Sequence, residues 1–179
     1  LMPSDITGTN ILDMRTNTFV LREGPVFCNV LLGDEINRAP AKTQSALLEA
    51  MQERAVSLEG KHIQLSPLFT VFATQNPVES EGTYPLPEAQ LDRFLFKIDV
   101  GYPSDEEEEA ILTSVSKGFD AGDLQRAGVQ AAVTQDQVKQ ARLAMAEVRI
   151  EPAVLSYVRK LVAATRRSPR IRLGAGPRA

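Results

Sequence analysis

The sequence contains very little of what several classes of protein require. Of its 179 residues only Cys28 is a cysteine and only His62 is a histidine, and tryptophan is absent. A single cysteine excludes a disulfide within the chain, and one histidine beside it is too little for a zinc site of the usual Cys/His type. These absences indicate a reducing compartment, and we expect a cytoplasmic protein.

Long hydrophobic runs are missing as well. No apolar segment approaches the roughly 18 residues that a membrane-spanning helix needs, so the sequence predicts no span. Hydrophobic residues make up 43% of the chain and charged residues 24%, which is typical of a globular protein and not of a disordered one. The length predicts one domain or slightly more.

Charge is unevenly distributed along the chain. The formal net charge is −3, but residues 149–179 contain eight basic side chains and one acid, so this segment carries +7. Such a segment can face nucleotide phosphates, nucleic acid or an acidic neighbour, or it can be a solvated helix face. Charge alone leaves these alternatives open.

The pattern of apolar segments predicts an α/β fold. Helical patterns alternate with short apolar runs of the kind found in parallel sheets, whose strands are covered on both faces. The predicted strands are residues 26–32, 68–74 and 94–100, the predicted helices are 41–53 and 87–93, and a hairpin is predicted at 54–66.

After residue 103 the pattern becomes helical. Ser104 with Glu107, and Thr134 with Gln137, have the spacing of capping boxes, in which two side chains cap the start of a helix reciprocally. Pro152 suits the first turn of a further helix. We therefore expect a helical subdomain from about residue 103 onward.

Polar residues follow two of the predicted strands. Asp34 and Glu35 come directly after the first, and Asn76 follows the second. In a parallel sheet the carboxyl ends of strands form the ligand-binding edge, where one acid can support Mg²⁺ and another can take a proton from water. Each signal is weak alone, because Asp-Glu pairs arise by chance and Asn-Pro is a common turn.

Four stretches make the sequence resemble a known family. It closely resembles the MoxR group of AAA+ ATPases, and the resemblance is densest over residues 24–112. The stretches that carry it are residues 31–40, 42–53, 73–77 and 81–94. The resemblance implies a P-loop-type αβα sandwich with a parallel sheet, of which residues 1–102 are the later part of the ATPase core and 103–179 a helical lid.

The resemblance also implies site residues and cofactors, namely ATP and Mg²⁺. Asp34 looks like the Walker B acid that supports Mg²⁺ and nucleotide, and Glu35 looks like the catalytic base. Asn76 is similar to the sensor-1 residue, and Arg93 looks like the arginine finger that reaches the neighbouring subunit's ATP. Arg178 resembles the nucleotide-binding sensor-2 arginine of the lid, although the family more often has Ser where Gly176 stands. Without the resemblance, Arg93 would be read as a surface helix residue.

The implied assembly is a ring, expected to be a hexamer, that remodels a partner protein. Partners with a von Willebrand factor A domain, or other client proteins, are the expected class. Residues 9–25 and 54–66 resemble inserted hairpins that face the pore or the client in related rings, and their apolar residues fit ordinary strand packing equally well. We do not expect nucleic acid as a partner.

One element of this family is missing from the sequence. A phosphate-binding loop of the form G-x-x-x-x-G-K-[ST] has no match, since Gly60-Lys61 is followed by His62. We expect that the loop lies upstream and that this chain alone is inactive. The alternative is a naturally short, non-catalytic scaffold. The family's sheet order places an absent strand between segments 68–74 and 94–100, which predicts a gap in the sheet.

Overall fold

The computed structural model describes residues 1–76, 82–123 and 125–176, and these form two compact units. One unit comprises Leu1–Leu95 with Arg149–Ala179, and the other is Phe96–Val148. The helices are Pro3–Thr7 (α1), Ala41–Glu53 (α2), Glu88–Leu91 (α3), Asp105–Ser116 (α4), Gln135–Ala146 (α5) and Pro152–Arg167 (α6). The strands are Gly8–Asp13 (β1), Thr18–Glu23 (β2), Val30–Gly33 (β3), Ala55–Leu58 (β4), Lys61–Gln64 (β5) and Thr70–Ala73 (β6).

A parallel pair of strands, β3 and β6, confirms the predicted α/β class. Val30 is registered with Thr70 and Gly33 with Ala73, so the two strands end at the same level. Helix α2 lies between them in the chain, as a parallel connection requires. Both predicted strands are shorter than expected, and both end next to the polar residues singled out in the sequence.

Only one face of this strand pair is covered. Leu31 and Val71 pack against the core, whereas Leu32 and Phe72, which are registered with each other, are 65% and 58% exposed. The prediction of strands covered on both faces is therefore wrong for the described residues. Successive strand side chains point to opposite faces, and here α2 and its neighbours cover one of them.

The third predicted strand, residues 94–100, is not formed. No part of it is a strand in the structure, and Leu95, Ile98 and Val100 are largely exposed. A strand exists only with a hydrogen-bonded neighbour, which its own sequence cannot provide. Among the described strands β6 pairs with β3 alone. The gap that the sequence predicts between segments 68–74 and 94–100 stays a prediction, because the second segment forms no strand in the structure.

The core of the first unit is built around α2, which has the predicted bounds. Leu47 and Leu48 are 3% and 0% exposed, and each such burial is worth about 1.5–3 kcal/mol. Pro40 caps the helix start with an extended backbone. Further buried members of this core are Val26, Ile36, Ala50, Val56, Leu65, Phe69 and Leu86.

Two antiparallel hairpins flank this core. The predicted hairpin at 54–66 is confirmed as β4 and β5, with positive φ angles of 49° at Glu59 and 78° at Gly60 in its turn. The first hairpin, β1 and β2, is more regular than expected, because the polar segment before residue 18 contains α1 and β1. Asn10 Nδ2 donates to Glu59 Oε2 at 2.7 Å, which links the two hairpins.

The helices of the later part of the chain begin where the sequence predicts. Ser104 Oγ accepts from the Glu107 amide at 3.4 Å, and Thr134 Oγ1 accepts from the Gln137 amide at 3.2 Å, with the reciprocal bonds also present. Helix α6 begins at Pro152. The compact units place α4 and α5 in the second and α6 in the first. A lid spanning 103–179 stays a prediction.

None of the helices within the described ranges combines the length and the apolar character that crossing a lipid bilayer demands.

Candidate functional site

The ends of β3 and β6 bring an acidic pair beside Thr74. The main chain fastens the two strand ends together: the Thr74 amide donates to the Gly33 carbonyl at 3.0 Å, and the Ile36 amide donates to the Thr74 carbonyl at 3.0 Å. Asp34 and Glu35 lie between these two bonds. The site is therefore a continuation of the parallel strand pairing, at the carboxyl edge where α/β sheets bind ligands.

The Thr74 hydroxyl joins both acidic residues. It donates to Asp34 Oδ1 at 2.5 Å and accepts the backbone N–H of Glu35 at 2.8 Å. Asp34 is exposed, so its carboxylate faces solvent and not the packed interior. One oxygen of that carboxylate is fixed by the protein at a surface where a ligand has access.

Glu35 is held by its backbone and by an ion pair. Its φ and ψ are 46° and 51°, the left-handed conformation that costs a non-glycine residue about 1–2 kcal/mol. Arg38 Nε lies 2.7 Å from Glu35 Oε2, and the two side chains are 49% and 34% exposed. The left-handed backbone and the ion pair with Arg38 together orient the Glu35 carboxylate.

Asn76 is connected to the same loop through its main chain. Its carbonyl accepts a hydrogen bond from Asn37 Nδ2 at 3.2 Å. Asn37 is 7% exposed, and its Oδ1 has no hydrogen-bond partner among the described residues. The segments that carry Asp34, Glu35 and Asn76 are therefore bonded to one another, while the sensor role of the Asn76 side chain stays a prediction.

A buried glutamine supports the loop that follows the acidic pair. Gln44, on α2, is 3% exposed, and its Nε2 donates to the carbonyls of Ile36 at 3.2 Å, Ala39 at 3.1 Å and Tyr84 at 2.8 Å. The Tyr84 amide donates in turn to the Asn37 carbonyl at 2.6 Å. Sequence reasoning missed Gln44. The sequence feature that could have revealed it is a polar residue among the apolar residues of the buried face of α2.

Arg93 lies just beyond α3. Its amide donates to the Gln90 carbonyl at 3.2 Å, and its side chain is half-buried. Its Nε is buried and has no hydrogen-bond partner within the part of the chain that the structure describes. The structure contains one protomer, so the arginine-finger role of Arg93 stays a prediction.

The chain end that carries the sensor-2 arginine is described only as far as Gly176. Arg178 lies outside the described residues. Before it, Arg166 Nε donates to the Ala175 carbonyl and the Ala175 amide donates to Thr165 Oγ1, both at 2.9 Å. A Cβ at Gly176 would lie 2.5 Å from Asp92 Oδ2, so Ser at this position would require the Asp92 side chain to move.

The donor set fits magnesium better than a softer metal. Asp34, Glu35 and Thr74 offer only oxygen atoms, which Mg²⁺ prefers, and it commonly uses one or two carboxylates with water and substrate phosphates. Within residues 1–76, 82–123 and 125–176 no three His, Cys, Asp or Glu side chains cluster as a complete cage for a metal. Asp34 and Glu35 alone would supply only part of the octahedral shell of a magnesium ion.

Comparison with known proteins reveals close relatives. The model of the family described as "ATPase family associated with various cellular activities (AAA)" matches residues 1–96. The chain is 46% identical over 188 residues to Chaperone MoxR1 of Mycobacterium tuberculosis, covering all of this chain and 48% of that protein. It is 45% identical over 178 residues to the uncharacterised protein YeaC of Bacillus subtilis, covering 99% of this chain and 54% of that protein.

A solved structure has the same fold. A crystal structure of a protein from Cytophaga hutchinsonii that is proposed to be an ATPase matches with a TM-score of 0.80 and 42% sequence identity, covering 99% of this chain and 55% of that one. The α/β fold with a helical part is therefore confirmed as that of an ATPase-like protein. The chain spans about half the length of the curated relatives it matches.

Proposed function

Because this chain belongs to the ATPase family associated with various cellular activities, and within it to the MoxR-type AAA+ proteins, we propose that it forms part of an ATP-hydrolysing machine that remodels partner proteins. The observation that carries the proposal is the acidic pair at the β3 edge, bound through Thr74 to the end of β6. A solvent-facing carboxylate beside a second, separately oriented carboxylate suits phosphoanhydride hydrolysis, since one acid can support a magnesium ion while the other takes a proton from water.

The two acids have different surroundings and therefore different roles. Asp34, with one oxygen fixed by Thr74, would hold the magnesium ion of the nucleotide. When bound, that ion neutralises phosphate charge. Glu35 is directed by its own backbone and by Arg38, and it accepts the proton of the attacking water. Asn76, on the adjoining strand end, orients the terminal phosphate or the water.

Two arginines complete the proposed site. Arg93 acts on the nucleotide of the neighbouring protomer, where a permanently charged, planar guanidinium binds phosphate oxygens in a bidentate manner. Arg178 binds nucleotide from the lid at residues 103–179, as a sensor-2 arginine. Residues 1–102 supply the later part of the core. A role in trans requires a neighbouring protomer, and we propose that the protomers form a hexameric ring in the cytoplasm.

The client is proposed as a protein. One relative carries the name chaperone, which supports remodelling of polypeptides, and a partner with a von Willebrand factor A domain is the expected class. The hairpins at 9–25 and 54–66 are the proposed contact elements. Phe19 on the first of them is 69% exposed, so the hairpin presents apolar surface to a client.

A second candidate function is a non-catalytic scaffold. The observation that favours it is the absence of a phosphate-binding loop from the 179 residues. We propose that this chain alone does not hydrolyse ATP and that the activity belongs to a protein in which such a loop accompanies it. A full-length protein that binds no nucleotide would support the scaffold.

The test compares Glu35→Gln with Glu49→Gln in the full-length protein. Glu49 is an exposed acid on α2 and serves as the matched control. We expect Glu35→Gln to retain binding of a fluorescent ATP analogue and to hydrolyse ATP about 10² to 10⁴ times more slowly, while Glu49→Gln behaves like the wild type. Unchanged turnover in Glu35→Gln would remove Glu35 from the role of base.

A further inference from the structure

None of the roles proposed for the site belongs to Thr74, yet its hydroxyl contacts both acidic residues. We propose that Thr74 is a positioning residue, whose hydroxyl orients the Asp34 carboxylate and the Glu35 backbone for nucleotide hydrolysis. The inference rests on the proposed function, because it needs Asp34 and Glu35 to act on a magnesium-bound nucleotide.

The chemistry of the contact requires a hydroxyl. A threonine hydroxyl has one hydrogen to donate and lone pairs to accept. Here the hydrogen goes to Asp34 Oδ1 and a lone pair takes the Glu35 N–H. Neither an amide nor an apolar side chain of this size supplies both functions at one atom. The bond to a carboxylate is also of the stronger, charge-assisted kind.

The hydroxyl is not needed to hold the strands together. The main chain of Thr74 already pairs with Gly33 and Ile36 on the neighbouring segment. The Thr74 side chain is exposed, so removing its hydroxyl leaves no buried polar group without a partner in the core. We therefore expect loss of the hydroxyl to leave fold and stability almost unchanged, whereas a purely structural role would lower the free energy of unfolding.

The geometry points to a specific consequence for the acids. Asp34 is exposed, and without the Thr74 contact its carboxylate is free to rotate in solvent. A ligating carboxylate that loses an orienting hydrogen bond commonly binds its metal about 10 to 100 times more weakly. The loss falls on the magnesium-dependent part of nucleotide binding and not on binding in general.

Strand β6, which ends one residue before Thr74, offers a matched control. Thr70 lies at the start of β6, and its hydroxyl donates to the carbonyl of Leu68 at 2.9 Å, within the turn that precedes the strand. Thr70→Val makes the same chemical change four residues away from the site. Thr74→Ser keeps the hydroxyl and removes only a methyl group, so it serves as the rescue variant.

The experiment measures how tightly the full-length protein binds a fluorescent ATP analogue as magnesium is titrated. In a separate assay it measures kcat and KM for ATP hydrolysis. For Thr74→Val we expect the magnesium midpoint to rise by about 10- to 100-fold. Affinity in excess EDTA and the unfolding midpoint stay as in the wild type, and kcat falls. Thr74→Ser and Thr70→Val should lie within about threefold of the wild type.

Two results would overturn the proposal. One is a wild-type magnesium dependence in Thr74→Val. The other is a loss in Thr74→Ser as large as in Thr74→Val, which would show that the hydroxyl is not the operative group. If Thr74→Val does not fold, Thr74→Ala replaces it as the variant without a hydroxyl, and its magnesium dependence is compared with that of Thr74→Ser. A wild type that binds no nucleotide rejects the proposed function itself, whereas an active wild type with an unaffected Thr74→Val rejects this inference alone.

Discussion

Arg38 Nε lies 2.7 Å from Glu35 Oε2, and Arg38 follows Glu35 by three residues in the chain. The pair is local, since both residues belong to the short segment that follows β3, and it keeps the Glu35 carboxylate against its own loop. Because both side chains are partly exposed, water screens the attraction. The pair therefore directs Glu35 much more than it stabilises the fold.

Replacing Arg38 should cost little stability. We expect Arg38→Gln to lower the free energy of unfolding by less than about 1 kcal/mol, because exposed ion pairs contribute no more than that. Lys139→Gln is the matched control, since Lys139 and Asp136 form a pair of the same spacing at 3.1 Å on α5. Urea unfolding of both variants makes the comparison. A loss above about 2 kcal/mol in Arg38→Gln alone would contradict this account.

Replacing Gln44 should have a much larger effect. Gln44→Leu removes the donor that serves three carbonyls around the acidic loop, and we expect the free energy of unfolding to fall by about 2 kcal/mol or more. Gln52→Leu changes an exposed glutamine of the same helix and should stay within about 0.5 kcal/mol of the wild type. Equal effects in urea unfolding would show that the Gln44 contacts are not structural.

The proposed role of Arg93 in trans can be tested by mixing. Full-length Arg93→Ala and Glu35→Gln should each be nearly inactive as uniform rings. In a one-to-one mixture about a quarter of the subunit interfaces would combine an intact Glu35 with an intact Arg93 from the next protomer, so ATPase activity should partly return. Activity that stays at the level of the separate variants would argue that Arg93 does not act across the interface.

Cys28 should react slowly with thiol-reactive reagents. Burial raises the pKa of the Cys28 thiol, against a smaller lowering from the backbone of Val30. The folded thiol therefore holds its proton to higher pH than the unfolded one, and its contribution to stability is lost as pH rises through the folded pKa. We expect slower reaction with a disulfide reagent near pH 8 in the native protein than in urea. Equal reaction rates in the native protein and in urea would contradict the conclusion that burial protects the Cys28 thiol.

Features that depend on neighbouring residues in the sequence could be predicted. Both capping boxes, the start of α2 after Pro40 and the hairpin of β4 and β5 are set by a few adjacent side chains, and the structure has all of them. The polar residues after two apolar runs also indicated the shared edge of β3 and β6. That prediction needed only the rule that parallel strands end together.

Features that depend on distant partners could not be predicted. Residues 94–100 have the composition of a strand, but no neighbour is paired with them among the described residues, and composition does not supply one. Thr74 and Gln44 were missed for a related reason. Their importance arises from hydrogen bonds to residues 40 positions away, Asp34 and Tyr84, which no local pattern records.

The left-handed backbone at Glu35 has a consequence for protein engineering. Glycine adopts that conformation without steric cost, and asparagine adopts it more readily than glutamate does. A selection for heat resistance alone would accordingly favour replacement at position 35 and would discard the carboxylate proposed to do the chemistry. Mutant libraries designed to raise the thermal stability of this protein should therefore keep glutamate at position 35.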